Sequence, residues 1–219
     1  MNYLSYSLWG DNPLYNVGSI RNSEQVKEIY PDWQMILYYD NSVPSETIDS
    51  LLNNGVICLD MTNRGIHGSF WRFLASDIED AEYVCFRDCD SILSNREFLA
   101  VQDWIKSKKT LHVMRDHPAH VIPYGISEPG ILAGMWGIKA KTIPMTDLVN
   151  KFNLGKTLEY GHDQVFSKTI YQIFLNDRCT HDEFYEKKPF PIKRENGRFV
   201  GERISINETP VTQDYKILL

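Results

Sequence analysis

The sequence predicts an α/β protein, an α/β/α sandwich around a mixed, largely parallel sheet. Three observations predict it. Short apolar runs alternate with segments of helical period. Most of these runs end at or next to an aspartate. No internal repeat, low-complexity tract or Gly/Ser linker breaks the alternation, so the 219 residues read as one domain.

"YLSYSLW" (3–9) reads as a strand, and 14–29 carries Leu14, Val17, Ile20, Val26 and Ile29 at helical spacing before Pro31. "WQMILYYD" (33–40) is a second strand. Pro44 and Ser45 open a helix over 45–53 that closes at Gly55. "VICLD" (56–60) is a third strand, followed by a helix over 68–78 with Phe70, Leu74 and Ile78 on one face. "YVCFRD" (83–88) is the fourth. Ser94 and Glu97 form a capping box for a helix over 95–107 that buries Phe98, Val101 and Ile105. "TLHVMRD" (110–116) and "GILAGMWGIK" (130–139) are further strands, separated by a loop with Pro118, Pro123 and Pro129. Helices follow near 143–153 and 163–175. From about 179 the chain turns irregular and basic, with Lys187, Lys188, Lys193, Arg194, Arg198 and Arg203. That tail reads either as a solvated hairpin or as a patch for an anionic ligand.

A net charge of -6 excludes a general nucleic-acid binder, which needs a basic face. The start, "MNYLSYSLWGDN", has no basic region before a long apolar one, and no stretch reaches the apolar length of a membrane span. The expected location is cytoplasmic. The four cysteines, Cys58, Cys85, Cys89 and Cys179, form no CxxC and fit a reduced state. A zinc site from Cys85, Cys89, Cys179 and His181 would pull Cys85 out of the strand it helps to bury.

The pattern with the sharpest chemistry is "FRDCDS", which puts Asp88 and Asp90 one residue apart at the end of an apolar strand. Two such carboxylates repel unless something positive joins them. Hard oxygen ligands suit Mg²⁺ or Mn²⁺, which complete their shell with substrate phosphates. Three phosphate chemistries fit. A phosphatase of the haloacid dehalogenase type would use Asp88 as nucleophile, but it places this motif near its N-terminus and has Thr or Val where Ile92 stands. A nucleotidyltransferase needs a Gly- and Arg-rich loop that "LWGDNPLYNVGSIR" does not supply. A glycosyltransferase uses the metal to hold the donor diphosphate as leaving group.

The third matches more of the chain. "FWRF" (70–73), "FRDCDS", "VMRDHP" (113–118), "ILAGMWG" (131–137), "GHDQ" (161–164), "HDEF" (181–184) and "FVGE" (199–202) occur in an order that resembles small GT-A-fold, DxD-containing nucleotide-sugar glycosyltransferases. Such enzymes occur in bacterial surface-glycan clusters and large algal viruses. The resemblance spans nearly the whole chain. It implies a Rossmann-like GT-A domain, with 1–115 binding nucleotide and metal, and 116–219 binding sugar and acceptor. It also implies a Mn²⁺ or Mg²⁺ cofactor, a nucleotide-sugar donor (UDP-sugar favoured, GDP-sugar as the other option) and a glycan or glycoprotein acceptor. A carbohydrate-binding relative without catalysis is the other reading of the same resemblance.

By that resemblance Asp88 and Asp90 are metal ligands, Asp88 also touching the donor. A histidine completes the site, His181 preferred over His162, with Lys188 and Arg194 near the phosphates. Arg72, on an apolar helix, needs a partner: a structural acid such as Asp77 or Asp88, or else the donor phosphate or the DxD carboxylate itself. Asp60 and Arg64 follow the third strand, where base and ribose bind, and Trp9 borders the base or joins the core. Gly134 and Trp136 border the sugar or acceptor, unless Trp136 is core. His117 and Gln164 flank sugar and acceptor, and Asp116 or Asp163 deprotonates the acceptor if the enzyme inverts.

Overall fold

The computed structural model describes residues 1–154, 160–211 and 218. Among them is a sheet in the order β3-β2-β1-β4-β6-β5-β7. Its strands are β1 (Asn2–Leu8), β2 (Trp33–Tyr39), β3 (Ile57–Asp60), β4 (Tyr83–Arg87), β5 (Leu111–Arg115), β6 (Met135–Lys139) and β7 (Arg178–Asp182). β1 lies parallel to β2 and to β4, β2 to β3, and β5 to β7. β6 alone runs antiparallel to both its neighbours, placing Phe86 opposite Trp136. The chain winds outward from β1 to β3, then returns to the other side of β1 as β4. That reversal opens a crevice beyond the carboxyl ends of β1 and β4, where α/β sheets bind ligands.

Helices α1 (Pro13–Ile29), α2 (Ser45–Asn53) and α3 (Asn95–Ser107) serve one face of the sheet. A 3₁₀ segment (Gly68–Asp77), α4 (Met145–Asn153) and α5 (His162–Ile173) serve the other. Alternation along each strand feeds two cores. Phe70, Phe73, Phe86, Trp136 and Phe166 meet on the 3₁₀ side, and Leu4, Tyr6, Leu37, Tyr30 and Trp104 on the α1 side. Fully burying an aromatic such as Phe86 contributes roughly 2–3 kcal/mol.

Four local expectations are corrected. The segment over 68–77 is 3₁₀ rather than α, because its backbone bonds to β1: Arg72 N donates to Ser7 Oγ (2.8 Å), and Ser5 Oγ donates to Arg72 O (2.7 Å). The strand expected over 130–139 begins only at Met135, whose N–H closes a turn onto Leu132 O. β7 was hidden in the tail. "RCTHD" carries no apolar run because its buried Thr180, His181 and Asp182 are polar, and both His181 and Asp182 bond to other side chains. Finally, α1 buries only part of the expected stripe, Val26 with Ile20 and Ile29 against the core. Val17 is exposed, and Gly18, Ser19, Asn22 and Ser23 face inward.

Only half of the expected capping box forms. Ser94 Oγ accepts from Glu97 N (3.2 Å), but the Glu97 carboxylate turns into the core. There it pairs with Arg87 (2.9 Å) and accepts from Tyr30 (3.0 Å). A buried Arg at the last position of β4 needs this counter-charge.

Candidate active site

A cleft of about 770 Å³ lies over the crevice between β1 and β4. Its floor is the loop after β4, and Asp88 and Asp90 both line it. The loop is held from three directions. Ser91 N and Oγ both donate to Asp88 O (3.3 and 2.9 Å). From α1, Asn22 Nδ2 donates to Cys89 O (3.3 Å) and Ser91 O (2.9 Å). From the C-terminal segment, Ile204 N donates to Asp90 O (2.9 Å), and Ile92 N donates to Glu202 O (3.2 Å). Gly18 is part of this packing: a Cβ there would lie 2.1 Å from Cys89 O. The inward polar face of α1 is therefore the brace of the DxD loop.

Arg72 organises the carboxylates. Its buried guanidinium contacts Asp88, and its other end meets Asp163 at the start of α5 (2.9 Å). The two expected partner types for Arg72 thus narrow to acids of the cleft itself. Gly134 lies beneath Asp88, and a Cβ there would sit 2.1 Å from Asp88 Oδ2. The glycine is required by this close approach.

Asp90 has less help. Burial, followed by the Asp88 charge, pushes its carboxyl up to about 6, with Arg203 and more distantly Arg72 pulling the other way. Burial likewise lifts Asp163, against the pull of Arg72. The floor of the cleft therefore carries more negative charge than its own cations neutralise comfortably. The donor set also fits a hard divalent cation: two carboxylates face a roomy cleft that leaves space for water and phosphate oxygens.

Other expected residues reach the cleft. Trp9 lines it at the rim, 43% exposed, with its ring edge-on to His67 and Trp71. His117 lines it too, tilted against Phe199 (4.8 Å). Gln164 faces it while its Oε1 accepts from Ala133 N (2.7 Å).

Several do not. Asp116 is fully buried and does not line the cleft. Arg96 grips both its oxygens (2.8 Å each), Arg194 donates at 2.5 Å and Val200 N at 2.9 Å. So surrounded, it anchors the tail and is not placed to take an acceptor proton. Arg194 is engaged there and with Glu183, and Lys188 pairs with Glu186, so neither reaches the cleft. Trp136 is core, packed 4.4 Å from Phe86. Asp60 and Arg64 line a separate groove of about 560 Å³ with Leu59, Met61, Ile66 and Asn150. The pairing of His181 with Asp90 is also corrected. His181 projects from β7 toward α3, with Nδ1 against His112 (2.9 Å) and Nε2 against Asp103 (3.2 Å). His162 opens α5 without lining the cleft.

Tyr15 and Tyr160, which sequence reasoning passed over, line the cleft, as do Gly201 of the "FVGE" stretch and Arg203 of the basic tail. The return of "FVGER" to the DxD loop had a faint signal in Gly201, whose φ of +82° turns the chain.

No protein-family model and no curated protein sequence matches the chain. Solved structures do. The galactosyltransferase LgtC, in complex with donor and acceptor sugar analogues, superposes with a TM-score of 0.54 at 12% identity, over 84% of this chain and 74% of that one. TarS 1-349 of S. aureus, in complex with UDP, gives 0.52 at 14%, over 83% and 58%. The 4-diphosphocytidyl-2C-methyl-D-erythritol synthase of Anaerococcus prevotii gives 0.51 at 13%, over 89% and 93%. The fold is therefore the GT-A fold of nucleotide-sugar glycosyltransferases, an architecture that the diphosphocytidyl-methylerythritol synthase shares.

Proposed function

We propose that the protein is a metal-dependent glycosyltransferase, moving a sugar from a nucleoside-diphosphate donor to a glycan or glycoprotein acceptor. The observation that carries this is the pair Asp88 and Asp90 on the floor of the cleft, one of them held by Arg72 and the other left with excess negative charge. UDP-sugar is the favoured donor, with GDP-sugar second. Asp90 and Asp88 hold Mn²⁺ or Mg²⁺, which when bound supplies positive charge to the leaving diphosphate. Arg72 fixes Asp88 and keeps Asp163 oriented. Of the two acids considered for the acceptor hydroxyl, Asp163 alone borders the cleft. Trp9 offers a rim for the base, and Gly134 and Gln164 border the space left for the sugar.

The fold is shared with nucleotidyl transfer, so the test must separate the leaving groups. The protein is incubated with Mn²⁺ and UDP-, GDP- and dTDP-sugars, and Tm, free nucleoside diphosphate and pyrophosphate are measured. Metal-dependent stabilisation by one nucleoside diphosphate, lost in Asp90→Ala, together with its release on adding glycan acceptors, supports the proposal. Pyrophosphate release from a nucleoside triphosphate replaces it with nucleotidyl transfer. Hydrolysis of p-nitrophenyl phosphate without nucleotide binding replaces it with a phosphatase. Donor binding without turnover across acceptors points to a carbohydrate-binding relative.

A further inference from the structure

His181 leaves the cleft to join a different cluster, and its surroundings have a chemistry of their own. Cys179 and His181 are two residues apart on β7, so their side chains leave the same face of the sheet. α3 crosses that face and supplies Asp103. One ligand atom from each of the three lies within 4.8 Å of the others. We propose that Asp103, Cys179 and His181 form a second metal site, selective for a borderline cation of the zinc type and separate from the DxD carboxylates.

Distance supports this. Ligand atoms on a tetrahedron with zinc bonds of 2.0–2.3 Å stand about 3.3–3.8 Å apart. His181 Nε2 and Asp103 Oδ2 are already 3.2 Å apart. The sulfur needs to draw in by at most about 1.5 Å, a rotamer adjustment. Orientation supports it too. His181 Nδ1 lies 2.9 Å from His112 Nε2. His112 is wholly buried and stacks on Trp104, with centroids 5.1 Å apart and planes at 13°. With a cation on the other nitrogen of His181, its Nδ1–H would donate to His112 Nε2. Without metal, His181 Nε2–H donates to the Asp103 carboxylate; a bound cation would take the place of that proton on Nε2, with His112 behind Nδ1 setting the tautomer. Phe190 closes the other side of the ring at 5.4 Å.

Donor type decides the metal. A thiolate and an imidazole with one carboxylate suit Zn²⁺, whereas Mg²⁺ and Mn²⁺ prefer all-oxygen sets like Asp88 and Asp90. The two sites thus sort cations by hardness. The Asp103 side chain is 61% exposed, so a cation enters from solvent and keeps water in the fourth position. Once bound, it ties α3 to β7, an edge strand whose one neighbour in the described sheet is β5, with Asp182 also bridged to Lys188. This site stands whether or not the cleft transfers sugars.

The test uses the full chain stripped of metal, titrated with Co²⁺ as a coloured substitute for Zn²⁺. The expected result at one equivalent is a near-ultraviolet thiolate-to-cobalt charge-transfer band with intense visible bands. Both are bleached by Zn²⁺, which also raises Tm. Cys179→Ser and His181→Asn abolish the bands, and Asp103→Asn weakens Zn²⁺ binding by at least about tenfold, the scale on which outer-shell partners alone act. Asp90→Asn keeps them. No charge-transfer band in folded wild type overturns the proposal, as does a band that persists in Cys179→Ser or disappears in Asp90→Asn. Should Cys179→Ser fail to fold, competition between wild type and a chromophoric chelator gives the Zn²⁺ affinity directly. Affinity no tighter for Zn²⁺ than for Mg²⁺ is then fatal.

Discussion

Asp90 offers a prediction that separates a ligand site from ordinary structure. Replacing it with Asn keeps the shape and removes the charge. Its carboxyl is pushed from 3.8 to about 6 by burial and by Asp88, so the fold prefers it protonated. Between these values the native state binds more protons than the unfolded chain, and stability falls as pH rises through that window. Above about pH 6 the whole penalty is present, and below about 3.8 it is absent. A shift of this size corresponds to roughly 3 kcal/mol. Solvent in the cleft screens it, leaving roughly 1–2 kcal/mol. Metal-free Asp90→Asn is therefore more stable than wild type at pH 8 by about 2–8 °C in Tm. The two proteins converge near pH 4. With Mn²⁺ and UDP the order reverses, because only wild type gains from the ligand. Differential scanning fluorimetry across pH 4–8, with EDTA and with Mn²⁺ plus UDP, reads all three. Wild type at least as stable as Asp90→Asn at pH 8 in EDTA would refute the reasoning, as would a gap independent of pH.

Gly134→Ala puts a methyl where Asp88 Oδ2 stands, and the carboxylate must swing off Arg72. Isothermal titration should show Mn²⁺-dependent UDP affinity falling at least about tenfold, with a stability loss within the roughly 1–3 kcal/mol of a local overpack. Gly18→Ala collides with the Cys89 carbonyl, which is backbone and yields less. Urea unfolding should show a loss at the upper end of about 1–3 kcal/mol, with weaker Mn²⁺ binding. Asp116→Asn removes the buried one of the two carboxylates that Arg96 and Arg194 share, leaving them Glu183. It should cost at most about 3–5 kcal/mol in urea unfolding, the scale of a broken buried pair. Where the variant stays folded, the pH profile of turnover should keep its shape, as expected of an anchor and not of a base.

The first strands, and the placing of Asp88 and Asp90 at a strand end, were legible because both are local. A run such as Tyr83–Phe86 declares its burial, and two acids after it declare a charge problem. Partners joined across long separations were not. Asp116 follows a strand end as Asp88 does, and nothing nearby in the chain reveals that Arg96 and Arg194 close over it. The basic tail looked available for phosphate; Lys188, Arg194 and Arg198 are paired with Glu186, Asp116, Glu183 and Glu202, and of the tail cations named it is Arg203 that lines the cleft. β7 escaped notice because an edge strand whose buried residues are hydrogen-bonded needs no apolar pattern. The inward face of α1 was misread for a related reason. It packs on the backbone of a loop, and small polar residues fit there better than leucine.

The bonds from Ile204 to Asp90 and from Ile92 to Glu202 join segments more than a hundred residues apart. During synthesis, β1, β2 and β4 can pair long before residues 199–204 exist. The DxD loop would then hang from a nearly finished sheet without its last support. Competence to bind a cation would thus arrive late and abruptly, after most of the fold is in place. A nascent chain would be spared a charged, half-built site that captures metal before it can use it.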